Sequence, residues 1–394
     1  MGVVEKYLTN YAEDEVRLLK DLHFNKSYKY QITIPAYKES FDFIARLMES
    51  FTHELLILIN VNQPDNVEKS KEQNDLFNSI SQYFSARQSE GNITLFETNS
   101  SKPDLLLVDR ITYPIPHKKG VGLARKILAD ISCWLIKNNI VTSPFIASTD
   151  ADTILPQNYF NCLLSYDSEE TALIYPHEHL QIDNSKISLL TTLYEKKLNY
   201  YVDGLNYARS RYAYHTIGSM IAFHHKVYCV VRGFPKRSAG EDFYFLSKVN
   251  KIKPVLTLKN PKIKILPRKS DRVPFGTGPT IQNLIENKIE LTTYDPRIFK
   301  YLKEVNLLFN DPSDYKVFES FIKDRIPLIS YNALKNIGFE KFLGNLNSPS
   351  TEQLKTQLFL WFDAFKTLKF IHYFQNHGFH QVPVNDACHH LELL

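Results

Sequence analysis

The stretch ELLILINVNQPDN, Glu54–Asn66, is a nearly continuous apolar run that Asn, Pro and Asp bring to a halt. A strand with one wet face alternates apolar and polar residues, whereas an unbroken block of Leu and Ile reads as a strand covered on both faces. Upstream, YQITIPAYKES (Tyr30–Ser40) reads as a strand ending at Pro35, and FDFIARLMESF (Phe41–Phe51) follows with helical spacing. Downstream come DLLLVD (Asp104–Asp109), the helix candidate GVGLARKILADISCWLIKNN (Gly120–Asn139) and a strand in SPFIASTD (Ser143–Asp150). Strand, helix and strand in this order predict an α/β fold with parallel layering, whose reactive loops lie at the carboxyl ends of the strands. Pro35, Asn60–Asn62, Asp109 and Asp150 fall at such ends, which predicts a common cleft.

The flanks read differently. Val4, Leu8, Tyr11, Val16, Leu19 and Leu22 recur at helical spacing and predict one leading amphipathic helix within residues 1–28. The α/β part is expected over 29–280, and the Pro-broken helical segments of 281–394 predict a helical subdomain. The helix around Trp361 is apolar nearly all round and is expected to pack against the catalytic domain or a partner chain, with a peripheral membrane contact through Lys355, Lys366 and Lys369 as the lesser alternative.

The 394 residues allow a sizeable core, and 43% hydrophobic against 23% charged residues describes an ordinary globular chain. A net charge of +4 without a long Lys/Arg block gives no footprint for duplex nucleic acid. The four cysteines are far apart and lack a C-x-x-C pairing, which fits reduced thiols and a cytoplasmic setting. No apolar run approaches the roughly 18 residues that span a bilayer, and the acidic start MGVVEKYLTNYAEDE does not read as a signal peptide.

In STDADT (Ser148–Thr153), side chains two apart in an extended segment point the same way, so Asp150 and Asp152 can face one site. Such a pair suits a hard cation, Mg²⁺ or Mn²⁺, that takes its remaining ligands from a diphosphate. The bland alternative is an Asp-rich turn. HKKGVGLARK (His117–Lys126) places Lys118 and Lys119 before Gly120, Gly122 and a helix carrying Arg125, so open N–H groups and cations there would make an anion site. A dinucleotide fingerprint is not met, because the third glycine is missing. In RGFPKRSAGEDFYFLSKV, Glu241 and Asp242 open a helix after Gly240, a position that stabilises carboxylates and can keep one as a base; plain helix capping is the alternative.

ITIPAYKES, HKKGVGLARK, ASTDADT, VVRGFPKRSAGEDFYFL and SDRVPFGTG, in this order, resemble the GT-A glycosyltransferases of family 2, closest to a soluble bacterial branch with a helical C-terminal extension. The resemblance implies a Rossmann-like nucleotide-diphospho-sugar transferase sandwich with a C-terminal helical subdomain, Mn²⁺ or Mg²⁺, and transfer of one sugar to an acceptor hydroxyl. UDP-sugars are the favoured donor by family habit, with GDP-mannose second. By position, the resemblance gives Pro35, Tyr37 and Glu39 to the nucleotide, Lys119, Gly120 and Arg125 to the diphosphate, and Asp150 to ribose or metal. It makes Asp152 the metal ligand and Asp242 the base of an inverting reaction, with Glu241 its neighbour.

Many members carry an Asp-Asp pair after the second strand; here INVNQPD stands, and Asn60, Asn62 or Asp109 would substitute. No Q-x-x-R-W follows the base motif, which points to single-sugar transfer instead of processive synthesis. His215 and Gly218 in YAYHTIGSMIAFHH are acceptor-side candidates; His177, Glu178 and His179 lack the spacing of a helical zinc pair. Arg268, Arg272, Gly276 and Gly278 are expected in a loop over the donor phosphates or in a surface turn. The rival function is a non-catalytic nucleotide-sugar or partner-binding protein on the same fold, and a homo-oligomer is compatible with either.

Overall fold

The computed structural model describes residues 1–68, 70–84, 86–98, 101–181, 186–267, 277–287 and 290–393. They form two compact units, Met1–Ile182 with Thr216–Pro279, and Asp183–His215 with Thr280–Leu394. The sequence places 186–215 inside the α/β stretch; in the structure this segment groups with the C-terminal helices.

The strands of the first unit are β1 (Tyr30–Ala36), β2 (Leu55–Pro64), β3 (Ala86–Glu90), β4 (Ile93–Glu97), β5 (Asp104–Ile115), β6 (Phe145–Ser148), β7 (Thr153–Ile154), β8 (Ala172–Ile174), β9 (His177–His179), β10 (Ile221–His224), β11 (Leu256–Thr257) and β12 (Ile263–Ile265). Its helices are α1 (Val3–Asn10), α2 (Glu15–Leu18), α3 (Asp42–Ser50), α4 (Lys71–Tyr83) and α5 (Gly120–Lys137). After α6 (Lys186–Tyr207) of the second unit come α7 (His225–Val230) and α8 (Glu241–Asn250) of the first. Nine strands form one sheet in the order β11-β8-β10-β6-β1-β2-β5-β4-β3, and β7-β12-β9 form a small second sheet.

The centre of the large sheet, β6-β1-β2-β5, is parallel. Here β2 is covered on both sides, as its unbroken apolar run requires. Leu55, Ile57, Ile59 and Val61 pack with Phe43 and Leu47 of α3, while Leu56 and Leu58 face the other way onto Leu123, Ile127 and Ile131 of α5. The fold class is α/β. The chain leaves β1 through α3 to reach β2 on one side, and returns from β5 through α5 to β6 on the other. Such a reversal opens a crevice at the carboxyl ends of the two strands where it occurs, β1 and β6.

The single leading helix expected within 1–28 is instead three short pieces, α1, α2 and a 3₁₀ turn at Leu19–Asp21. What fixes α1 is a polar cluster on the back of α5. The fully buried Asp130 accepts hydrogen bonds from Tyr7 Oη (2.7 Å), Tyr228 Oη (2.7 Å), Lys126 Nζ (2.8 Å) and the Glu13 N–H (2.8 Å). Burial pushes the Asp130 carboxyl up, and Lys126 opposes that shift.

The second unit contains α6, most of α9 (Thr277–Asn287), the pair β13 (Thr292–Thr293) and β14 (Val382–Pro383), and helices α10 (Arg297–Asn310), α11 (Tyr315–Arg325), α12 (Leu328–Asn336), α13 (Phe339–Gly344), α14 (Thr351–Trp361), α15 (Ala364–Gln375) and α16 (Val384–Glu392). Phenylalanines dominate its core, among them Phe299, Phe309, Phe339, Phe362 and Phe370. The Trp361 helix, α14, buries Leu354 and Leu358 in this unit's own core and stacks Trp361 on Phe342 at 4.8 Å.

Replacing Lys126 by Met removes the cation from a buried carboxylate. The substitution is expected to destabilise the protein by about 3 kcal/mol at pH 8 in urea unfolding. The loss should shrink on acidification, because a protonated Asp130 no longer needs the charge.

Candidate active site

Arg125 sits in the second turn of α5, 4% exposed. A guanidinium offers five N–H donors, and burying it without partners would be prohibitive. Three contacts meet that demand: Nη2 donates to Asp150 Oδ1 (2.6 Å), Nη1 to Ser148 Oγ (2.9 Å) and Nε to Glu241 Oε1 (2.9 Å). Burial works against the charge, but Asp150, Glu241 and Asp242 outweigh it and raise the pKa of the arginine further. Ser148 Oγ in turn donates to the Gly218 carbonyl at 3.0 Å. One cation thus joins the end of β6, the Gly218 segment and the start of α8.

At the β1/β6 crevice, Thr33 pairs with Ser148, so Pro35 and Asp150 stand two residues beyond the same rung on adjacent strands. Tyr37 and Glu39 follow in the half-buried loop after β1, where the Lys38 N–H donates to Gln73 Oε1 of α4 at 2.6 Å. The Asp150–Thr153 turn is closed by Thr153, whose N–H and Oγ1 both donate to the Asp150 carbonyl (3.2 and 2.7 Å). Arg46 of α3 holds the Ala151 carbonyl at 2.9 Å, and the Leu266 N–H holds that of Asp152 at 2.9 Å. Asp150 and Asp152 therefore stand on a braced turn at the crevice.

Glu241 and Asp242 open α8 after Gly240, whose φ of +71° is the left-handed conformation glycine adopts without cost. Glu241 is 4% exposed and held by Arg125. Asp242 is half-buried, and its Oδ1 accepts from the Phe243 N–H at 2.7 Å. Burial and the neighbouring Glu241 push its carboxyl up to about 7, against the pull of the Phe243 N–H, Arg125 and the Gly218 N–H. The helix start thus does the opposite of what the sequence suggests: Asp242 is poised to gain and lose a proton near neutrality. Gly218 meets all of these groups, and a Cβ built there would lie 2.8–2.9 Å from the Arg125 guanidinium.

Several sequence expectations need correction. Asn60 is fully buried, with its Nδ2 3.5 Å from the Ala124 carbonyl, so it does not reach a donor. Asp109 is not at a strand end, because β5 runs to Ile115; its Oδ1 accepts the Ile111 and Thr112 N–H groups at 2.8 and 3.0 Å. Arg125 is an internal ion-pair partner and not a surface contact for diphosphate. The start of α5 is not an open anion cradle either. The Lys119 and Gly120 N–H groups donate to the Pro116 carbonyl (2.8 and 3.2 Å), and that of Gly122 to the Arg237 carbonyl (2.9 Å). Gly120 and Gly122 instead admit the backbone of 235–238, which a Cβ at either would strike at 2.4–2.7 Å. Lys119 remains half-buried at the helix cap.

His215 belongs to the second unit, where burial lowers its pKa against the pull of Glu195; Gly218 belongs to the first. His177, Glu178 and His179 form β9, in register with β12. Arg268, Arg272 and Gly276 lie outside the described residues. Sequence reasoning missed Ser148, Arg46 and Gln73, ordinary polar residues whose roles come from distant partners.

A divalent cation fits this donor set. Asp150 gives one oxygen to Arg125 and is 32% exposed, and Asp152 shares its turn, so the donors there are the hard oxygens such a cation takes. Among the described residues no group of three or more His, Cys, Asp or Glu could hold a metal by itself. A cation here would draw on substrate oxygens and water.

No family model and no curated protein matches the chain. Among solved structures, S. aureus TarS 1–349 in complex with UDP-GlcNAc is similar over 88% of this chain and 92% of that chain, with 12% identity and a TM-score of 0.39. The same fragment with UDP gives 89% and 93%, 11% identity and 0.38. A further S. aureus TarS structure gives 88% and 54%, 13% identity and 0.38. A TM-score this low assigns neither family nor activity.

Two variants test this geometry. Gly218→Ala is expected to push on the Arg125 guanidinium and cost about 1–3 kcal/mol in urea unfolding. Asp242 keeps its proton in the folded state to about 7, from an ordinary 3.8, so its contribution to stability is full below 3.8 and lost as pH rises through 7. Asp242→Asn should therefore be more stable than the wild type at pH 8, by up to about 4 kcal/mol, with the gain vanishing near pH 4.

Proposed function

We propose that the chain is a metal-dependent glycosyltransferase of the GT-A, family 2-like type, which moves one sugar from a nucleotide-diphosphate sugar to an acceptor hydroxyl with inversion. The observation that carries this reading is the shared guanidinium. Arg125 holds Asp150, beside the crevice of an α/β sheet, and Glu241, beside a carboxyl of pKa about 7, at 2.6 and 2.9 Å. One residue thus ties Asp150, on the proposed donor side, to Glu241, the neighbour of the proposed base.

In this reading the diphosphate lies at the ends of β1 and β6, bordered by Pro35, Tyr37 and Glu39, with Lys119 supplying positive charge from the α5 cap. Asp152 and the second oxygen of Asp150 would hold Mn²⁺ or Mg²⁺, which offsets charge on the leaving nucleoside diphosphate. Asp242 takes the proton of the acceptor hydroxyl as its oxygen bonds to the anomeric carbon, opposite the departing diphosphate. Glu241, bonded to Arg125, and burial keep the Asp242 carboxyl basic enough for that transfer. UDP-sugars are the first donors to try. Among the described residues no helix is long and apolar enough to cross a membrane. A cytoplasmic setting remains part of the proposal.

Calorimetry with UDP-, GDP- and TDP-sugars, with and without Mn²⁺, tests the reading. One donor is expected to bind only with metal, and Asp152→Ala to weaken it by about 100-fold or more. Asp242→Asn should keep donor affinity within about threefold while transfer falls by roughly 10³-fold. Below pH 7 the wild-type transfer rate should rise about tenfold per pH unit, then level off. Donor binding that ignores both metal and Asp152 would favour the non-catalytic nucleotide-sugar binder.

A further inference from the structure

The second unit carries a pocket that the proposed reaction does not use. It lies between the turn after α6 and the ends of α10 and α14, and is lined by Arg209, Ser210, Arg211 and Asn306 over an apolar floor that includes Phe309 and Phe362. The turn is a helix-ending motif: the Arg209 N–H donates to the Asn206 carbonyl and the Ser210 N–H to that of Leu205, both at 2.9 Å. The left-handed position of this motif favours glycine, yet here it holds Arg209 at φ +54°. Strain kept at such a position points to its side chain. Arg209 is exposed, and no carboxylate pairs with it among the described residues.

The second arginine is fixed. Arg211 places its guanidinium carbon 4.5 Å over the ring of Phe359, whose other neighbour is Tyr212, stacked at 6.0 Å. Asn306 is 8% exposed and braces the turn by donating to the Ala208 carbonyl at 2.8 Å. The cavity measures about 30 Å³. By the measure that a water needs about 10–15 Å³, the enclosed part has room for two or three waters, and so for only the charged end of a ligand.

We propose that this pocket binds a phosphate group borne on a carbon skeleton, the phosphate between Arg209 and Arg211 and the adjoining carbons on the aromatic floor. Two arginine forks match a phosphate dianion in charge and in donor geometry. The competing explanation is that both arginines only offset the electronegative ends of α6, α10 and α14. Substitution by glycine separates the two, since glycine suits the turn and lacks the charge.

The test is calorimetry of the full chain with inorganic phosphate and with glycerol phosphate, without divalent metal and at fixed ionic strength. It is paired with sedimentation on vesicles of phosphatidylcholine with and without an anionic phospholipid. Wild type is expected to bind at least one phosphate source saturably, and Arg209→Gly to lose at least about tenfold in that affinity. The same variant should melt roughly 1–3 °C higher, as relief of the left-handed strain requires. Binding of the soluble esters alone identifies a free phosphate ester, and binding of the anionic vesicles alone a lipid head group. Absence of saturable binding to every source, or equal affinity in Arg209→Gly, overturns the proposal.

Discussion

A guanidinium charge buried to 4% exposure cannot stand alone, and the first unit is arranged to satisfy it. Arg125 draws Ser148 from the last position of β6, Asp150 from the turn that follows it and Glu241 from the start of α8, all within 2.9 Å. Arg125 and Glu241 come from sequence positions more than a hundred residues apart. Once the arginine is fixed, the spacing between the two carboxylate motifs is fixed with it. In the proposed reaction that link would keep leaving group and base in register.

The same cation accounts for the unequal character of two adjacent acids. Glu241 faces Arg125 directly and is held as its partner. Asp242, one residue on, lies beside that carboxylate in a half-buried setting and rises to about 7. Neighbouring groups whose environments drive their proton affinities apart are a common mark of acid–base chemistry. Gly218 closes the arrangement, since its missing side chain leaves room for the guanidinium and its N–H reaches Asp242.

Much of this was legible in the sequence where local pattern decides structure. The block of Leu and Ile in β2 announced a two-sided burial, and the structure divides those residues between α3 and α5. The helix from Gly120 and the helix opened by Glu241 were readable from periodicity and the preceding glycine. What the sequence hid depends on long-range contact. Nothing local marks Asn60 as buried under α5, or Arg125 as facing inward among acids. The glycines before Arg125 looked like a phosphate cradle, yet they serve a close backbone crossing by 235–238. The assignment of 186–215 to the helical unit was equally out of reach, because α6 has no marker of which core it will join.

The most direct measurement is a crystal structure of the protein with an unreactive nucleotide-diphosphate sugar and Mn²⁺. The diphosphate should lie across the carboxyl ends of β1 and β6 against Asp152, with Arg125 still bonded to Asp150, Ser148 and Glu241. A diphosphate bound elsewhere, or an arginine swung out to grip it with Glu241 released, would contradict the role of the buried cation as the fixed link between donor side and base.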